Sequence, residues 1–347
     1  MPHDIRIRNR VIDEAQPLFV ITECGVTCNY DLALTKELID VVHEAGADAI
    51  KLIFWFPDEI MSDRSIQYTY QTTSGPKTEN MYEMLHALRF TFEEWQAVKA
   101  YADARDVILF ATVNSPSGID YAERLGLEAY KLSSWDYNYL PLWTRIAALG
   151  KPMLMDTGPV GRVEVAKVMQ VMAEAGNEQS VLLHCIHTDR PEEVNMRSIP
   201  YMRRMFHTLV GYSARGQESE LDIAAVALGA TVIEKRLTMS RMLPGHHHVL
   251  SLEPKEFREY VAMIRRVQRS LGLEDLRPSQ ADLEERKRWF RHLVAVRDIP
   301  SGTRLTADML EGKRPEAGIS PECLEWFLGR IVKRDLRENE AIQWTDV

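Results

Sequence analysis

The stretch AVALGATVIEK, residues 225–235, decides the fold: a helical run ends at Gly229, and the short apolar run after it stops on a Glu-Lys pair. EAGADAIKL at 44–52 has the same construction, with Gly46 closing a helix and Lys51 arriving late in the following strand. Working outward from these two, strand cores fall at 18–23, 48–54, 107–112, 128–132, 152–156, 181–185, 208–212 and 230–234. DLALTKELIDVVHEAGAD, TFEEWQAVKAYADARD, GIDYAERLG, LPLWTRIAALG and RVEVAKVMQVMAEAG alternate with them as helices, and residues 219–228 and EPKEFREYVAMIRRVQRSLG complete the series. Eight strands with helical returns predict an α/β chain folded as a (β/α)8 TIM barrel rather than an open doubly wound sheet. The lack of GxGxxG argues against a dinucleotide site.

The remaining segments read differently. Residues 56–91 carry turn signals and a helix around MYEMLHALRF, a length suited to a lid, a dimer contact or a surface insertion. After the charged helical stretch RPSQADLEERKRWFRHL, short strand and turn signals replace the barrel cycle. The predicted organisation is an N-terminal segment and barrel at 1–280, a linker at 281–291 and a small domain at 292–347.

With 45% hydrophobic and 27% charged residues the chain reads as globular, and a net charge of −9 gives no basic field for nucleic acid or anionic lipid. Cys24, Cys28, Cys185 and Cys323 lack paired CxxC spacing and read as reduced thiols. MPHDIRIRNR has no signal-peptide apolar stretch, and no uncharged run is long enough to span a membrane. A cytoplasmic protein without nucleic-acid or membrane partners is expected.

In a barrel, functional groups gather at the C-terminal strand ends. Those positions are Glu23, Lys51, Thr112, Lys131, Asp156 with Thr157, His184, Tyr212 with Ser213, and Glu234 with Lys235. Lys51 and Lys131 suit a phosphate or carboxylate, and either could instead form a carbonyl Schiff base if its pKa is depressed. Thr112, Asn114, Ser115, Ser133, Ser134 and Thr157 offer hydroxyl, amide or backbone donors for an anion, or else serve as caps and turns. Glu23 is a base or an ion-paired carboxylate; His184 is a metal ligand, a proton-transfer group or a core histidine, with His187 in the loop beyond.

The ordered motifs ECGVTCNYD, EAGADAIKL, YEML, ILFATVNSP, YKLSS, GKPMLMDTG, VLLHCIHTDRPEEVNM, LVGYS, AVALGATVIEK and LPGHHHVLSLEP resemble the sialic-acid synthase family over nearly the whole chain. KRPEAGISP and GRIVKRDLRENEAIQWTDV resemble its small antifreeze-like, or SAF, domain. The resemblance implies condensation of phosphoenolpyruvate with a sugar aldehyde, release of phosphate, and a divalent metal, Mn²⁺ or Mg²⁺. It assigns Lys51, Lys131, Ser133, Ser213 and Thr157 to phosphate or carboxylate binding, Glu23 and Tyr212 to reactant orientation, and His184 to the metal. Arg314 would be delivered by the SAF domain of a partner in a domain-swapped homodimer.

Several positions depart from the family pattern. KxQ becomes KLI with Ile53; Cys28 stands at a histidine position; Ala214 and Arg215 replace Asp and a metal-binding His; EKH becomes EKR with Arg236. The PGPDH-like loop is PGHHH, so His248 keeps the final histidine while His247 replaces an acid. His247 or His248 is accordingly expected in the chemistry, with either, His248 foremost, a candidate to reach a metal near His184, or Arg215 to supply the metal's charge. A metal-independent aldolase or lyase, and a noncatalytic sugar-phosphate-binding protein, remain the alternatives.

Overall fold

The computed structural model describes residues 4–188 and 190–347. A hairpin, β1 (Ile5–Ile7) and β2 (Arg10–Ile12), precedes the first barrel strand, β3 (Phe19–Glu23). β4 (Ala49–Ile53) follows, then a second hairpin, β5 (Gln67–Thr72) and β6 (Gly75–Asn80). The remaining barrel strands are β7 (Ile108–Thr112), β8 (Tyr130–Leu132), β9 (Met153–Asp156), β10 (Ser180–Cys185), β11 (Leu209–Ser213) and β12 (Val232–Arg236). β3, β4 and β7–β12 pair in parallel, and β12 closes on β3 to make an eight-stranded barrel. The fold is therefore the predicted TIM barrel.

Local chemistry sets the helix ends. Asp31 caps the helix Leu32–Ala45 by accepting from the Leu34 amide, and Gly46 ends it in the left-handed region at φ 69°. Thr91 and Glu94 form a capping box for Phe92–Ala104, while Ser115 caps Pro116–Arg124 with proline in its first turn.

Strand periodicity divides the core into two layers. Val20, Ile50, Leu109, Leu182, Val210 and Ile233 face outward toward the helices. Phe19, Ile21, Phe110, Leu154, Leu183 and Val232 fill the barrel, joined by Ile5, Ile7 and Ile12 from the N-terminal hairpin, which plugs the end opposite the strand C-termini. That hairpin is absent from the sequence reading because IRI and RVI are too short to show periodicity. The hairpin β5–β6 was likewise hidden within 56–91, where only a helix was expected; it is present as Met81–Ala87, capped by Asn80.

By contacts the chain divides into Met1–Gly272 and Leu273–Val347. The second unit has its own core, including Leu293, Leu305, Leu310, Phe327 and Ile342. It contains the helix Gln280–Trp289 and the antiparallel pair β13 (His292–Ala295) and β14 (Leu310–Lys313). Among the described residues no helix is long and apolar enough to cross a membrane.

Gly211 lies on the inward face of β11, where an added Cβ would collide with the Val232 carbonyl and the Leu183 side chain. Gly211→Val should lower stability by about 1–3 kcal/mol through overpacking, read as a lower midpoint in denaturant titration.

Candidate active site

The alternation that fills the barrel with Phe19, Ala49, Ala129, Leu154 and Val232 continues upward to Glu23, Lys51, Lys131, Asp156 and Glu234. Five charged side chains thus share the inward face near the strand ends. Glu234 bridges the two lysines: its Oε1 lies 3.2 Å from Lys51 Nζ and its Oε2 2.8 Å from Lys131 Nζ. Lys51 also pairs with Glu23, and Lys131 Nζ is 2.7 Å from Asp156 Oδ2. Ser213 Oγ donates to Glu234 Oε1 at 3.1 Å.

Burial gives these contacts their weight, since Lys51 is 4%, Lys131 1% and Glu234 4% exposed. It lowers the Lys51 pKa to about 8 against the support of Glu234, with Lys131 adding to the drop. Lys131 goes the other way: burial opposes its charge, but Asp156 and Glu234 hold its pKa above the usual lysine range. Burial also acts against the Glu234 carboxylate, yet the two lysines pull its pKa down, whereas burial leaves that of Asp156 raised. Asp156 Oδ1, Tyr137 Oη and Asn114 Oδ1 are buried without hydrogen-bond partners among the described residues. Buried polar atoms of this kind are rare and call for a ligand or water.

The expected hydroxyl donors are less uniform. Thr112 and Ser134 are buried at the strand ends. Ser133 Oγ accepts from the Trp135 amide as a cap, and Ser115 serves as the helix cap described above. Thr157 Oγ1 donates to the Leu183 carbonyl at 3.3 Å. Gly158 follows at φ 39°, packed so closely on Ser134 that a Cβ would overlap its side chain.

His184 and Tyr212 meet a register obstacle. They follow Leu182 and Val210 on the outward face, and His184 Nε2 donates to the Val194 carbonyl at 2.6 Å. The expected metal position at His184 is thus separated from the inward charged layer by one step of strand alternation. Lys235 is also outward, paired with buried Asp222 at 2.9 Å, which explains a lysine at this strand end structurally.

The three histidines part company. His246 packs on Tyr68 and Tyr70 of the β5–β6 hairpin, each ring 5.6 Å away, and burial lowers its pKa to about 4. His247 has a left-handed backbone at φ 69°; burial, followed by the charges of Arg236, His246, Lys51 and Arg215, holds it neutral. His248 is engaged at both ring nitrogens, Nδ1 with Thr238 Oγ1 at 2.8 Å and Nε2 with Asn29 Oδ1 at 3.3 Å. It therefore ties the loop to the residue following Cys28, and neither nitrogen is left for the metal contact expected of it.

Arg215 donates to the His187 carbonyl. Arg236 extends the inward series beyond Glu234 and aligns with Glu23 across the β12–β3 ladder. Arg314, in the second unit, has its guanidinium 5.5 Å from the Trp289 ring centroid. The donor chemistry does not fit the implied divalent metal. No group of three or more His, Cys, Asp or Glu among the described residues could hold one. The expected histidine positions carry arginines, whose guanidinium is protonated and has no acceptor for ligation.

Fold and charged strand ends together define a barrel of the TIM class with its polar centre at the C-terminal mouth. The NeuB family model matches residues 38–275 and the SAF domain model residues 290–347. The chain belongs to the NeuB family. It is 31% identical over 345 residues to an uncharacterised protein of Methanocaldococcus jannaschii, covering 99% of this chain and 98% of that one. It is 30% identical over 329 residues to N,N'-diacetyllegionaminic acid synthase of Campylobacter jejuni, covering 93% and 98%. The solved N-acetylneuraminic acid synthetase of Leptospira borgpetersenii, in complex with citrate, matches with TM-score 0.72 and 25% identity over 82% of this chain and 95% of that one.

Glu234 is the central residue that sequence reading placed at a strand end without giving it a role. Its signal was present: two inward lysines require an acid between them. Lys131→Met should leave Glu234 and Asp156 facing each other without their shared cation and cost about 3–5 kcal/mol. Denaturation at neutral pH measures the loss, and an unchanged midpoint would show the pair to be energetically idle.

Proposed function

We propose that the protein condenses phosphoenolpyruvate with a sugar aldehyde and releases phosphate. The observation that carries this reading is the buried Lys51–Glu234–Lys131 bridge at the barrel mouth. Membership in the NeuB family and likeness to the legionaminic acid synthase support it.

In this reading Lys51 and Lys131 turn part of their charge from the carboxylates to the phosphate and carboxylate of the enol substrate, with Thr112, Ser133, Ser134, Thr157 and Ser213 as lesser donors. Carbon 3 of phosphoenolpyruvate attacks the aldehyde carbon, forming the carbon–carbon bond. Water adds at carbon 2, and the tetrahedral intermediate expels phosphate by carbon–oxygen cleavage. Of the two protons water gives up, one goes to the new hydroxyl, and the other, lost as carbon 2 becomes a ketone, leaves with phosphate. Glu23 and neutral His247 orient the reactants and carry the first of these protons. A cavity of 630 Å³ between the β5–β6 hairpin and Pro244–His246, lined also by Asn29, Glu79 and Met84, suits the sugar chain.

Aldose-dependent phosphate release from phosphoenolpyruvate is the direct test; a broad aldose panel giving neither phosphate nor a carbon-coupled product would remove this reading. Because Lys51 is charged below about pH 8 and neutral above it, KM for phosphoenolpyruvate should rise as pH passes through that value. Lys51→Arg should move the rise to higher pH.

The depressed Lys51 pKa also favours a second reading, a Schiff-base aldolase or lyase. Borohydride trapping of a carbonyl substrate on Lys51, followed by peptide mass measurement, separates the two.

The domain-swapped homodimer belongs to the same proposal, with Arg314 of one subunit completing the site of the other. Lys51→Met and Arg314→Ala, each inactive alone, should regain activity when mixed and refolded. No regain would place Arg314 in its own subunit's site or outside the chemistry.

A further inference from the structure

The charges around the lysines leave the mouth short of positive charge for an anionic substrate. Lys51 and Lys131 face Glu23, Glu234 and Asp156, so their charge is matched within the network before any ligand arrives. A substrate carrying both phosphate and carboxylate brings more negative charge than the lysines can offset while they also face three acids, and a further cation answers it. Arg236 sits one inward step beyond Glu234, beside Glu23 in the barrel ladder. Its Nη1 donates only to the neutral carbonyls of Ala214, at 2.8 Å, and Arg215, at 2.5 Å. It makes no ion pair among the described residues, and its Nε is buried without a hydrogen-bond partner. A buried, unmatched N–H on a permanently charged group is costly unless an acceptor completes it.

We propose that Arg236 is the fixed cation of this site, holding an oxyanion of phosphoenolpyruvate so that binding requires no divalent metal. The proposal rests on the condensation reading and deepens it. Two features support it independently of the charge count. The carbonyl contacts to Ala214 and Arg215 anchor Nη1 while Nε carries no hydrogen bond, so the guanidinium is held in place with donor capacity left over. The titratable neighbours are also compatible with a persistent positive charge: His187 and His247 are held neutral by burial and then by Arg236 itself. Among these groups the positive charge beside Glu23 is therefore carried by Arg236, with His187 and His247 neutral.

The experiment uses the full-length protein after chelator treatment, with wild type, Arg236→Gln, Arg236→Lys and Arg236→His compared. Free Mn²⁺ is followed by electron paramagnetic resonance, and phosphoenolpyruvate, inorganic phosphate and pyruvate binding by calorimetry in chelator. Wild type should leave Mn²⁺ free yet bind phosphoenolpyruvate. Arg236→Gln, with an unchanged thermal transition, should bind it about tenfold or more weakly. Arg236→Lys should recover part of the loss, because charge is kept while the fork is gone. Arg236→His should not exceed Arg236→Lys in chelator. Loss confined to phosphate or to pyruvate would identify which end of the substrate Arg236 holds.

Stoichiometric Mn²⁺ uptake by wild type, phosphoenolpyruvate binding that appears only with metal, or Arg236→Gln binding as tightly as wild type would each overturn the role of Arg236. The condensation reading would survive those results. Wild type that binds no phosphoenolpyruvate with or without Mn²⁺ would instead remove the condensation reading, and the proposal with it.

Discussion

The Glu234 carboxylate between Lys51 and Lys131 is the contact on which the mouth of the barrel depends. Two ammonium groups buried this deeply would repel each other and strip one another of protons; a carboxylate reaching both keeps them close. The consequence is an uneven pair. Asp156 and Glu234 hold Lys131 as a cation, while Lys51, paired with Glu23 and Glu234, has a pKa that burial and the charge of Lys131 lower to about 8. Glu234 reaches both lysines, so the difference between them comes from their other surroundings, with Asp156 on the Lys131 side.

Strand alternation turns this local contact into a site. Each inward position above the hydrophobic layer is two residues beyond a core side chain, so the apolar packing of Ala49, Ala129 and Val232 fixes where Lys51, Lys131 and Glu234 point. The same rule sends His184, Tyr212 and Lys235 outward. Their places at strand ends are alike in sequence, but their surroundings are not: Lys235 meets Asp222 under a helix, and His184 meets a loop carbonyl.

This explains what the amino-acid order reveals and what it hides. The eight-strand barrel is legible because its helices end at glycines and its strands stop on polar residues. The two lysines are legible for the same reason. His184 seemed equally placed because strand ends were read without face, and a one-residue change of parity separates a ligand from a core residue. His248 could not be resolved by spacing, since its partners Thr238 and Asn29 come from opposite ends of the barrel sequence. The N-terminal hairpin escaped because three-residue strands have too little pattern, although their isoleucines are fully enclosed once folded.

That plug of Ile5, Ile7 and Ile12 packs against Phe19, Ile108, Val181 and Leu209 at the strand N-termini, so the charged layer at the other end of the barrel rests on a continuous apolar floor.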